Sequence, residues 1–256
     1  MSDLWLPWPT YVDLAASLAL VARLLQNGLY RVYRFFFAYL AADAMETLLA
    51  VLFQTRLQWY ANLYLVGQTV KIILAVFLVL EVYQLALEHH PALAQFIRNS
   101  IVYVLAVAAG LAALGIALDR YIPPGRSVIV HRFNTFERTM DICVLALLVL
   151  VVVFMTWFPV RLRRNGALYI GGIIIYFASR SAGLLLRNLA PEFKRPIDHG
   201  ILIAAILCLS VWLMALTREG EKITTVVGHR WQPAEATRLA AQLDAINARL
   251  LRLSRR

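Results

Sequence analysis

Charge is what this sequence has least of. Only 16% of its 256 residues are charged and 61% are hydrophobic. A soluble domain of this size carries about 25% charged and 45–50% apolar residues, so that class is excluded. Cysteine is almost absent: Cys143 and Cys208 are the only two, both inside apolar runs, which excludes a disulfide framework. The first ten residues, MSDLWLPWPT, hold no Lys or Arg. They lack the basic start of a cleaved secretory signal, so the first apolar segment is expected to be retained. No internal repeat of about 20–50 residues is evident.

Catalytic signatures are missing too. There is no His-Glu-x-x-His zinc motif, no Gly-x-Ser-x-Gly elbow and no P-loop. His89, His90, His131, His199 and His229 fall at the ends of apolar segments or between them, so two axial haem ligands on facing helices are not available. His89-His90 reads as a solvated helix end before it reads as a metal site. The last apolar segment contains no lysine, which excludes a retinal Schiff base of the microbial rhodopsin kind there. No cofactor or metal is expected, and an enzyme ranks last among the function classes.

What the chain does have is long apolar runs, such as IILAVFLVL, ICVLALLVLVVVFM and ILIAAILCLSVWLMAL. Runs of this length are how bilayer-spanning helices read. Seven are expected, over 10–30, 35–54, 60–87, 99–118, 137–158, 167–188 and 197–216. The breaks between them hold Pro91, Pro123-Pro124-Gly125, Arg161 with Arg163 and Arg164, and Pro191 with Pro196. The fold expected is therefore all-α: a polytopic bundle of seven transmembrane helices (1–216) followed by a basic tail (217–256). Gly110, Gly115 and the Gly171-Gly172 pair allow close helix approach. Trp5, Trp8, Trp59, Trp157 and Trp212 suit an aromatic belt.

The net charge of +10 fits anionic lipid headgroups and loop bias better than nucleic acid. Arg218, Lys222, Arg230, Arg238, Arg249, Arg252, Arg255 and Arg256 crowd the tail. The positive-inside rule then puts the N-terminus outside and the tail in the cytoplasm, in a bacterial inner membrane. Arg120, Arg126 and Arg132, in a loop that would be outside, run against that rule. Within the tail, Ala236, Leu239, Leu243, Ile246, Leu250 and Leu253 recur at heptad spacing over a helix expected at 233–255. Its apolar stripe and arginine edges suit an anionic bilayer surface, a homodimer or a cytoplasmic partner. Docking on the protein's own loops is the bland alternative.

The second span, FFFAYLAADAMETLLAVLFQ, holds two acids, Asp43 and Glu46, on one side of a helix. Each central acid costs about 2.5–3.5 kcal/mol of insertion, and the large apolar residues of the span return roughly 4 kcal/mol in all. The acids therefore need a partner. Counting 1.5 Å per residue from either face puts Asp43 about 12 Å, Glu46 about 17 Å and Lys71 roughly 13 Å above the inner face. A short connection makes spans two and three neighbours, so an Asp43/Glu46–Lys71 cluster is expected, with Arg180 joining it. Tyr39, Tyr64, Gln68, Asp141, Tyr176, Asp198 and His199 are the candidate lining of a polar cavity opening outward. Glu81 is expected near the inner face, within reach of Arg161, Arg163 or Arg164. The cluster is either a clasp between helices or a ligand, ion or proton site.

FFFAYLAADAMETLL and VFLVLEVYQLALEHHPAL resemble a class of bacterial seven-helix membrane proteins in layout. That resemblance implies the fold and nothing about activity or site residues. The residues favour a receptor-like or sensory protein over a transporter or channel, since no inverted repeat or matched pair of broken helices is present.

Overall fold

The computed structural model describes residues 8–53, 57–88, 95, 99–107, 109, 110, 128–158, 160–227 and 233–254. The His89-His90 pair, the Pro123-Pro124-Gly125 turn, residues 111–118 and the side chains of Arg161 and Arg187 lie outside them.

Helices dominate: α1 is Trp8–Gln26, α2 Arg34–Phe53 and α3 Leu57–Ala86. The described part of α4 is 99–107 with 109 and 110. Then come α5 (Val128–Trp157), α6 (Arg164–Leu189), α7 (Lys194–Ala215) and α8 (Pro233–Ser254). Proline sits in the first turn of α1 (Pro9), α7 (Pro196) and α8 (Pro233), where its missing N–H leaves no intrahelical bond unmade. After α1 the backbone turns at Gly28, whose φ of 69° lies in the left-handed region that glycine enters without steric cost.

Among the described residues, four helices are long and apolar enough to cross a membrane: Arg34–Phe53, Leu63–Ala86, Thr135–Trp157 and Arg195–Ala215. These fit a membrane-embedded protein. The sequence pattern suggested seven. The helices α1 (Trp8–Gln26) and α6 (Arg164–Leu189) form but are not among those four. Large apolar side chains such as Leu52, Val66, Ile73, Val149, Leu150, Ile203 and Leu207 point out from the bundle, the arrangement a lipid solvent favours.

Packing closes on itself. In order, α1 packs on α2, α2 on α3, α3 on α5, α5 on α6, α6 on α7 and α7 on α1. A small contact between α3 and α6 crosses the ring. Inside it, Tyr33, Phe36, Tyr169 and Trp212 form a chain of aromatic contacts with ring centroids 4.8 to 4.9 Å apart. The α6–α7 approach depends on small residues: a methyl group at Gly172 would run into the Trp212 indole, and one at Gly183 into Ile201. Gly171, the other half of the expected close-approach pair, faces open space.

One feature departs from an all-α fold. Val160–Arg163 (β1) and Thr224–Val227 (β2) pair antiparallel, with Val160 opposite Val227 and Arg163 opposite Thr224. Val160 and Leu162 turn inward and are buried, the period-two alternation of a strand. This ribbon ties the α5–α6 connection to the segment after α7. The ends of α1, α2, α3, α5, α6 and α7 that meet there define one end of the bundle.

Candidate functional site

Lys71 is the centre of the first charge group. It is 7% exposed, and its Nζ lies 3.0 Å from Asp43 Oδ1 and 2.9 Å from Glu46 Oε2. The contact to Asp43 is a hydrogen bond, whereas Glu46 Oε2 meets Lys71 only as a charge, outside hydrogen-bond geometry. Gln68, one turn along α3, donates to Glu46 Oε1 at 3.1 Å. The pairing follows from helix register: Tyr64, Gln68 and Lys71 are three to four residues apart, so they share one face of α3.

Arg180 belongs to a second group. Its Nε donates to Asp141 Oδ2 at 2.8 Å, one Nη2 hydrogen bond goes to Glu137 Oε1, and another reaches Gln68 Oε1 at 3.3 Å. Tyr64 donates to Glu137 Oε2 at 3.2 Å. Arg180 therefore pairs with the acids of α5 and reaches the Lys71 group through Gln68. Both acids lie on α5, which packs directly against α6. Gln68 joins the two groups, its amide N–H going to Glu46 and its carbonyl accepting from Arg180.

A third acid escaped the sequence reading. Asp13 of α1 is 8% exposed, feels the charges of Asp43 and Lys71, and has no hydrogen-bond or ion-pair partner among the described residues. It borders a small cavity that it shares with Asp43, Tyr39, Tyr176 and Trp212, with room for roughly one water molecule. The indole N–H of Trp212 is buried there without a partner among the described residues. The signal that would have found Asp13 is its isolation as the single acid of an otherwise apolar first span.

The expected cavity-lining residues divide. Tyr39 and Tyr176 line the small cavity, while Tyr64, Gln68 and Asp141 belong to the Arg180 group. Asp198 and His199 stand apart in the first turns of α7, where His199 Nδ1 lies 2.9 Å from the Arg195 carbonyl oxygen. Among the described residues no cluster of three or more His, Cys, Asp or Glu could hold a metal ion.

Among the described residues Glu81 meets backbone N–H groups and a tyrosine in place of the side chains of Arg163 or Arg164, and Arg161 lies outside them. Its carboxylate accepts from the backbone N–H groups of Phe35 and Phe36 at 3.0 and 3.1 Å, and from the Tyr169 hydroxyl at 2.9 Å. It thus caps the start of α2 from another helix, meeting orphan donors and the positive end of the helix dipole together. Nearby at the ribbon, Glu221 accepts from Tyr33 at 2.5 Å, Asn165 at 2.9 Å and Arg163 at 3.3 Å. Arg163 also pairs with Glu88 at 2.6 Å. Burial and the bond to Glu221 push the Tyr33 hydroxyl well above its ordinary range. Burial alone would lower Arg163, but its bonds to Glu221 and the charge of Glu88 raise it.

Among the described residues, five carboxylates (Asp13, Asp43, Glu46, Glu137 and Asp141) thus stand with two cations, Lys71 and Arg180, in these interior groups. No protein-family model, curated protein or solved structure matches this chain.

Proposed function

We propose that this is a seven-span membrane protein of receptor-like or sensory type whose ligand is a proton or small monovalent cation. One observation carries the reading: the excess of buried carboxylates over buried cations. Uncompensated charge in a low-dielectric interior is expensive, so the surplus acids must carry protons or face a bound cation. The cavity between Asp13 and Asp43 is of water size, which suits such a ligand and excludes a metabolite. In this reading α1, α4 and α6 cross the bilayer along with the four apolar helices. The N-terminus is outside, and the ribbon and α8 are in the cytoplasm. The output passes through the ribbon, where Glu221 gathers the ends of three segments, to α8, which binds a partner, a second copy or anionic lipid. No catalytic role is assigned.

Two measurements on the full chain test this. In detergent, the unfolding midpoint of the wild type should depend on pH or on added Na+ or K+, and Asp13→Asn should flatten that dependence. In proteoliposomes loaded with a pH-sensitive dye, an imposed proton gradient should decay no faster than in empty vesicles. Faster decay would establish the runner-up, a transporter or channel using the same acids. Deleting 233–256 separates the two further: transport would survive the deletion, whereas recruitment of a partner would not.

A further inference from the structure

At the ribbon end, the last turns of α1 and the first residues after α7 enclose an open, polar cleft of about 370 Å3. Arg23, Gln26, Asn27, Thr217 and Arg218 line it together with two alanines of α1, and none of these residues is acidic. Arg23 is half-buried, and its Nε is shielded from solvent without a hydrogen-bond partner among the described residues. Arg218 is oriented from the opposite wall: its Nε donates to the Asn27 carbonyl at 3.0 Å and its Nη2 to the Gln26 carbonyl. Those two bonds cover the exposed carbonyls at the end of α1, the part of the cleft that would repel an anion. What the cleft then presents is two guanidinium groups beside amide and hydroxyl donors. An unsatisfied buried donor is costly, and paired arginines with neutral donors match the forked acceptors of a phosphate.

The setting adds to this. Ala19, Ala22, Arg23 and Gln26 recur at three- and four-residue spacing, so they form one stripe along α1. Ala19 and Ala22 are exposed, leaving a shallow apolar track that runs from the membrane-facing side of α1 up to Arg23. A headgroup in the cleft would have room for its acyl chain beside these alanines.

We infer that the Arg23–Arg218 cleft is a binding site for a phosphate group, that of an anionic phospholipid headgroup or of free phosphate. The site is independent of the buried acids and of the function proposed above. Occupation would bridge α1 to the segment leading into the ribbon, because one wall belongs to each.

The test uses the full chain. Unfolding midpoints are read in nanodiscs of phosphatidylcholine with and without phosphatidylglycerol, and in phosphatidylcholine with inorganic phosphate. At saturating lipid the wild type should shift upward by roughly 5 °C with phosphatidylglycerol. Arg23→Gln should lose most of that shift while keeping its midpoint in phosphatidylcholine, and Arg23→Lys should keep part of it. An equal shift in Arg23→Gln would assign the effect to diffuse attraction by the basic tail and overturn the proposal. A shift with phosphatidylglycerol alone identifies the lipid headgroup as the source, and one with inorganic phosphate as well identifies free phosphate as a second ligand. Should Arg23→Gln fail to fold, native mass spectrometry of the wild type decides. Preferential retention of phosphatidylglycerol over phosphatidylcholine supports the site, and equal retention overturns it.

Discussion

Lys71 holds two acids of a neighbouring helix in an environment with almost no water. Removing one partner of a buried pair leaves charge uncompensated, a loss of about 3–5 kcal/mol. Lys71→Met should therefore destabilise strongly, and Asp43→Asn with Glu46→Gln in the same chain should recover a large part of it. Chemical or thermal unfolding in detergent measures both, and equal tolerance of the single and triple variants would refute the pairing. This much was legible in the sequence, because a short connection makes α2 and α3 neighbours and the helical rise sets the depth of each charge. Which of the neighbouring acids Arg180 bonds was not legible. Choosing between α2 and α5 depends on the order of helices around the ring, which no spacing within α6 encodes. The isolation of Asp13 in the first span was visible in the sequence, whereas the charges it faces, Asp43 and Lys71, come from other helices.

At the scale of an element, what begins and closes each helix comes mostly from elsewhere in the chain. The α2 start is capped by Glu81 of α3, 45 and 46 residues away from the N–H groups it receives. A local capping motif is not needed when a carboxylate arrives from a neighbour. Glu81→Gln keeps the shape but removes the charge, and should lower stability by about 1–2 kcal/mol, since hydrogen bonds to charged acceptors contribute about 1.5–3 kcal/mol. The α6–α7 contact makes a second prediction. Gly172→Ala puts a methyl group into the Trp212 indole and should cost about 1–3 kcal/mol, whereas Gly171→Ala, which meets nothing, should leave the midpoint nearly unchanged. The pair looks equivalent in sequence and differs only in which glycine faces α7. The ribbon was missed altogether, because VRLR and TTVV are too short to read as strands until their partner is known.

Over the whole molecule, one end is knotted by Glu221, Arg163, Asn165, Tyr33 and Arg218, and the ionic groups lie further along the helices. In the proposed topology the knotted end faces the cytoplasm. With Cys143 and Cys208 replaced by alanine, a cysteine at Ser2 should react with a membrane-impermeant maleimide on intact cells. One at Glu235 should react only after the membrane is opened. The reverse pattern would invert the topology and put the phosphate cleft in the other leaflet.

The sequence by itself determined the class of environment. Low charge and long apolar runs suggest a membrane-embedded chain, and in such runs solitary acids and a lysine are stabilised by finding one another. Helical rise and connection length were enough to pair Asp43 and Glu46 with Lys71. Only the tertiary structure decided how the helices close into a ring, and through that which acids Arg180 serves, where Asp13 ends up, and which chain segments form the Arg23–Arg218 cleft. The reason is physical: periodicity records which side of a helix is polar, but partner choice between non-consecutive helices depends on packing shape and on long-range contacts that no local pattern contains.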